Sequence, residues 1–297
     1  MDIPDVRKTN KTLSYGLALI SVLIWSSAFA TSRYALTYYS PMSVMLLRFL
    51  SASAALIIVG LIKKIRLPRK EDILKFIGGG FIGVFLYMFF FNIGTVTVVA
   101  GVSSFIVASA PVYTLILSRV LLKEVVKPIC WVGVIVSFCG LVIIMISQLT
   151  EFTFSIGIVL IFFSALSTGT HNIIQRGFLK RYTALEATTY TFIGATILML
   201  VFTPGMIREL PGSPLSVNLI VLYLGIFPAA IGYLCWGAAL SKAEKTTHVA
   251  VFLYLSPFTA SLLAFVWLGE TFSLLTFFGG VVIIAGMAIT NLLGRSE

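Results

Sequence analysis

Ten runs of about 20 apolar residues, separated by connections too short to fold alone, take up nearly all of this 297-residue chain. In lipid no water satisfies the backbone N–H and C=O groups, so only helices or a closed barrel can span the bilayer. The runs lack the alternation of barrel strands and are about twice their length, which selects helices. They fall at 13–33, 43–62, 74–93, 98–118, 128–147, 155–174, 184–204, 219–240, 246–267 and 272–292. Charge supports this reading. Only 11% of residues are charged, whereas a soluble domain carries about 25%. Mean hydropathy is +1.04. The expected fold class is therefore an all-α integral membrane protein.

The net charge of +10 is topogenic. No nucleic-acid motif accompanies the basic residues, which lie in short connections. With the N-terminus placed in the cytoplasm, 18 of the 21 Lys and Arg residues fall on that side, as the positive-inside rule requires. Both termini are then cytoplasmic. Arg208 falls outside, and Arg33 and Arg48 are expected near outer helix ends, where long basic side chains snorkel. Arg7, Lys8 and Lys11 followed by an apolar run and "AFA" at 28–30 imitate a cleaved signal peptide. Cleavage is rejected, because it would leave nine helices and break the repeat described next. Cys130, Cys139 and Cys235 lie inside apolar runs without a CxxC pair, so neither a disulfide framework, a metal site nor a cofactor is expected.

"APVYTLILSRVLLKE" (110–124) and "SPFTASLLAFVWLGE" (256–270) have the same pattern, 146 residues apart. The same offset pairs Gly79 with Gly225, Tyr87 with Tyr233, Pro111 with Pro257, Glu124 with Glu270, Gly133 with Gly279 and Gly140 with Gly286. The domains expected are a cytoplasmic tail 1–12, a first five-helix repeat 13–147, a second 155–292 and a cytoplasmic tail 293–297. Five is odd, so the second copy enters from the opposite face of the membrane. Inverted repeats of this kind typify secondary transporters, whose site lies near the midplane between the halves. The longest connection, "TPGMIRELPGSPLS", is read as a loop broken by Pro204, Pro211 and Pro214.

Those two phrases, with "LIWSSAFATSRYAL" (23–36) and "SPMSVMLLRFL" (40–50), resemble the two EamA domains of the drug/metabolite transporter superfamily. The likeness is poorer at 155–205, where Leu166 stands near a position that is often tryptophan in the family's second domain. The resemblance implies ten helices, movement of small metabolites such as amino acids, and a central cavity lined by helices one, three, four, six, eight and nine. A preference for export also comes from the resemblance alone.

The mid-depth polar and aromatic residues nominated for a substrate cavity are Trp25, Ser26, Tyr87, His171, Tyr233 and Trp236. Trp25 lies roughly 18 Å into its span, too deep for an interfacial belt. Buried indole and phenol groups need partners and so face protein; there they can stack on a ring or hold an ammonium group. His171 has two readings: a hydrogen-bonded structural group, or a substrate contact or proton carrier, for which an unperturbed pKa of about 6.5 suits it. Gln175 shares its helix face, and His248 sits at a helix start. Gly79 and Gly83 form a GxxxG packing motif. Pro111 and Pro257 are expected inside helices as hinges, with a static bend the alternative. Glu124 and Glu270 are expected to be structural, each capping the next helix or pairing with a base.

No Asp or Glu lies near the middle of a span, so a carboxylate proton relay has no site. Facilitated diffusion or exchange is favoured over carboxylate-driven antiport. Phosphate-bearing cargo is disfavoured, because the mid-depth positions are read as lacking Lys and Arg. An enzyme would need a nucleophile–base pair or metal ligands, and two histidines 77 positions apart without HExxH offer neither. The sequence thus points to an inner-membrane carrier of a small amphipathic metabolite, an amino acid or derivative. Its partners are the small-molecule substrate and the lipid bilayer, with no nucleic acid, and it acts as a monomer or weak dimer. The rivals are an uptake or exchange carrier of another metabolite, and a membrane-embedded binding or assembly subunit.

Overall fold

The computed structural model describes residues 10–98, 100–148, 155–268 and 274–293; Glu270, Arg7, Lys8 and Arg295 lie outside them. Among the described residues, nine helices are long and apolar enough to cross a membrane, and a shorter apolar helix supplies the tenth. Helix α1, Lys11–Ala35, opens where the Leu13 N–H donates to Asn10 Oδ1 at 3.0 Å. Helix α2, Pro41–Ile62, opens on a Ser40 cap with proline in the first turn, where a missing N–H loses no intrahelical bond. Helices α3 (Lys70–Thr97), α5 (Pro128–Gln148) and α6 (Ile156–Phe178) follow the expected spans; α4 comes between the first two and is broken, as described below.

A capping box starts α7 at Ala184: Thr183 Oγ1 accepts from the Glu186 N–H at 3.2 Å, and Glu186 Oε2 accepts from the Thr183 N–H at 2.8 Å. The segment read as a broken loop is helical instead. Thr203–Glu209 and Leu210–Gly212 extend α7, with Pro204 and Pro211 in the first turns of new segments, where proline loses no intrahelical bond. Helices α8 (Leu215–Lys242), α9 (Thr246–Leu268) and α10 (Leu274–Leu293) complete the second half.

The halves are inverted, and glycine packing shows it. A methyl group at Gly133 would lie 2.7 Å from the Gly286 carbonyl, and one at Gly140 would lie 2.7 Å from the Gly279 carbonyl. Each residue thus meets the repeat partner of the other, with α5 rising as α10 falls. The same exchange of halves governs the remaining contacts: α1 packs on α8 and α9, while α6 packs on α3 and α4. Three α1 hydroxyl or indole groups seal the first of these. Ser14 Oγ donates to Ala239 O at 2.8 Å, Ser21 Oγ to Gly232 O at 2.9 Å and Trp25 Nε1 to Pro228 O at 2.8 Å. Across the twofold, Gly79 and Gly83 bring α3 against Ile174, Phe178 and His171 of α6, the close approach expected of a GxxxG pair.

Irregular stretches in four helices form two symmetric pairs. Helix α3 is π-helical over Phe81–Phe85 and α8 over Gly225–Gly232, stretches that coincide under the 146-residue offset. Helix α4 comprises Ala100–Val107 and Ala110–Leu121, with a turn between them. Helix α9 comprises Thr246–Ala250, a 3-10 stretch Val251–Tyr254, and Leu255–Leu268. Pro111 and Pro257, expected from sequence inside continuous helices, therefore do not bend one. Each stands in the first turn after a break, where a ring on nitrogen clashes with no preceding turn.

Candidate functional site

Residues in or next to the irregular stretches of α3, α4, α8 and α9 border one cavity between the halves. It encloses about 680 Å³, its open mouth included. Helix α1 contributes Trp25, Phe29 and Ser32; α3 contributes Gly83, Tyr87 and Phe91; α6 contributes Thr168 and His171; α8 contributes Tyr233 and Trp236. Val107 of α4 and Leu253 and Ser256 of α9 line it at the two helix breaks. The six helices implied by the family resemblance are present, and α2 joins them through Arg48.

The wall is chiefly aromatic. The Trp25 ring lies 5.0 Å from Tyr233, edge-on, and 5.1 Å from Trp236. Tyr233 also meets His171 at 5.4 Å and Phe192 at 5.1 Å, and Tyr87 stacks on Phe91 at 5.8 Å. Offset and edge-on geometry of this kind adds about 0.5–1.5 kcal/mol per pair beyond area burial and orients the rings. Both tyrosines follow a π-helical stretch directly or by one residue. An extra residue per turn rotates everything downstream, so the π segments set which way Tyr87 and Tyr233 face. This could not be read from the sequence, since π and α registers share the same residues.

Trp236 closes the floor. Its Nε1 donates to Asn172 Oδ1 at 2.8 Å, and Asn172 Nδ2 donates to Thr114 Oγ1 at 3.0 Å. This chain joins α8, α6 and α4 about two turns from the helix ends that share a face with the N-terminus. Further bonds hold that face shut. The Glu124 carboxylate accepts from Thr246 N at 3.2 Å and from Thr246 Oγ1 at 2.7 Å. Glu124 thus caps α9 of the opposite half, not the helix that follows it in sequence. Lys11 pairs with Glu244 at 3.0 Å, and the Asn10 N–H donates to Lys242 O at 3.2 Å. Toward the opposite face the cavity continues past Phe29, Ser32 and Phe91 into a cleft reaching Arg33, Thr95 and Ser103. The bonds described here gather at the face bearing the termini, and the second cleft lies on the opposite side of the cavity.

Two nominated residues behave differently from the rest. Ser26 is not on the wall: its hydroxyl bonds Val22 O at 2.8 Å and Thr259 Oγ1 of α9, fastening α1 to α9. His171 is on the wall, yet its Nδ1 is buried with no hydrogen-bond partner among the described residues. The bonded structural role weighed for it from sequence does not extend to that nitrogen. Gln175, one turn on, donates to Thr188 Oγ1 at 3.1 Å and faces α7.

Sequence reasoning missed Arg48. Placed near an outer helix end and expected to snorkel, it is only 5% exposed and lines the cavity. Its Nε has no hydrogen-bond partner, and no carboxylate pairs with it among the described residues. Tyr87 and Tyr233 are its near neighbours. Among the lining residues it is the one side chain of fixed charge. The argument against phosphate-bearing cargo, which rested on mid-depth positions free of Lys and Arg, is therefore withdrawn. Removing an ion from water without a partner costs several kcal/mol even after relaxation.

Inverted five-helix halves around a cavity lined from both of them define a multi-pass membrane transporter. The chain belongs to the EamA-like transporter family, whose model matches it twice, over residues 12–146 and 155–292. It is 34% identical over 270 residues to the uncharacterized transporter YdfC of Bacillus subtilis, covering 91% of this chain and 88% of that one. It is 33% identical over 274 residues to a "Probable terminal-alkyne amino-acid exporter" of Streptantibioticus cattleyicolor, covering 92% and 91%. A solved crystal structure shares the fold at a TM-score of 0.79 and 19% identity, covering 96% of this chain and 99% of that one.

Proposed function

We propose that the protein moves a small amphipathic metabolite, an amino acid or a derivative of one, by alternating access. The direction is export across the inner (plasma) membrane, with both termini in the cytoplasm. The observation that carries the reading is the aromatic cavity itself: polar only at a few points, sized for a small molecule, and walled by both halves. Near-equal halves can exchange conformations at little cost, so the open face of one state becomes the closed face of the other. The relative named as an amino-acid exporter supports the cargo class. In this cycle the breaks before Pro111 and Pro257 serve as the hinges.

Reconstitution into proteoliposomes tests the reading. Vesicles loaded with unlabelled L-amino acids, including one with a terminal alkyne, should accumulate the labelled compound by counterflow, and Trp25→Ala should abolish it. Everted membrane vesicles should take up the cargo that right-side-out vesicles release. A protein that binds amino acids yet shows neither counterflow nor net flux is not a carrier.

A further inference from the structure

The cavity contains a fixed positive charge without a counter-charge among the described residues. Arg48 is buried to within 5% of its area, lines the space beside Tyr87 and Tyr233, and leaves Nε unpartnered among the described residues. A guanidinium offers up to five N–H donors in a planar fork that matches a carboxylate in shape and charge. Evolutionary convenience does not explain an ion left bare, because a neutral side chain of the same size would relieve the desolvation penalty at once. A ligand that supplies the missing charge does explain it. We propose that Arg48 is the anchor for a carboxylate on the transported molecule, the apolar body of which then lies among Trp25, Tyr233 and Phe91.

Charge balance narrows the class further. A single guanidinium neutralises one negative charge, and the other lining side chains include no Lys, Asp or Glu. A singly charged carboxylate leaves the loaded cavity balanced at that end, whereas a phosphate dianion leaves an excess charge in a desolvated space. If the molecule also carries an ammonium group, the faces of Trp25 and Tyr233 provide the electron-rich surface for it. This deepens the transport reading and rests on the same cavity.

Matched acid and amide probes test it by isothermal titration of the purified full-length protein. The pairs are L-leucine with L-leucinamide, isovalerate with isovaleramide, and 3-phenylpropionate with its amide. At least one acid should bind about 10- to 100-fold more tightly than its amide, the range expected of a charge-assisted pair. Arg48→Gln should erase that preference, the affinity for the acid falling to that for its amide. Arg48→Lys, which keeps the charge and loses the fork, should retain part of it, and serves if the glutamine variant does not fold. Equal acid and amide affinities in the wild type overturn the proposal. So does an undiminished preference in Arg48→Gln, or the binding of no carboxylate at any soluble concentration. Preference for isovalerate and 3-phenylpropionate over L-leucine overturns the amino-acid reading and leaves the anchor standing.

Discussion

Single residues set the cavity's fine geometry. A methyl group at Gly83 would lie 2.5 Å from His171 Nδ1 and 2.9 Å from its Cβ, so the imidazole sits where it does because position 83 has no side chain. Gly83→Ala should push the ring toward the lumen at a stability cost of about 1–3 kcal/mol. Thermal midpoint and ligand affinity, measured together, should show affinity falling more than stability. Lys123 shows the converse, with φ of 55° immediately after α4, a left-handed conformation that costs an L-residue roughly 1–2 kcal/mol. The repeat partner of Lys123 is Gly269, the residue such a turn favours. Lys123→Gly should raise the thermal midpoint, by about 1 kcal/mol of stability.

Sequence revealed these positions unevenly. Trp25, Tyr87, Tyr233 and Trp236 were identifiable because aromatic polar tips at mid-depth must face protein. The depth of Arg48 was also countable, about 10 Å beyond Pro41. Its direction was not, because α2 is apolar all round and offers no polar stripe to show which side faces inward. Ser26 failed for the opposite reason. A hydroxyl satisfies itself against its own helix and a neighbour as readily as it lines a cavity.

At the scale of elements, proline signalled a disturbance without describing it. Pro111 and Pro257 forbid a hydrogen bond upstream, and a kinked helix and a restarted one meet that demand equally well. The structure shows restarts, at 108–109 in α4 and over Val251–Tyr254 in α9. The breaks are spanned partly by turn and 3-10 bonds, such as Ser109 N–H to Ile106 O at 3.1 Å, whose geometry is poorer than that of α-helical bonds and resists bending less. Pro111→Ala and Pro257→Ala should allow continuous helix across each break, slowing counterflow while equilibrium binding in detergent stays intact. Unchanged transport rates in both variants would rule the hinge out. The π stretches left no trace in the sequence, although Pro228 stands inside one of them. Its carbonyl takes the Trp25 indole N–H, so this proline helps position a cavity wall.

For the molecule as a whole, the repeat register predicted the twofold, and contacts across it bear that out. Gly140→Val should cost about 2–3 kcal/mol, because the added atoms meet backbone first, the Gly279 carbonyl and Ile283 N, and the Ile283 side chain only after them; detergent unfolding midpoints would measure the loss. The seam where α5 meets α10 has a mechanical meaning. Glycines at 133, 140, 279 and 286 press backbone on backbone over two turns, and Ser137 Oγ bonds Ile283 O at 3.2 Å between them. Carbonyl ridges seated in glycine notches resist sliding along the bilayer normal, and what they leave free is swivelling, as pages turn about a spine. Spin labels placed at the outer flanks of α5 and α10 should therefore hold one separation whether or not cargo is present, while labels on α4 and α9 swing apart and together.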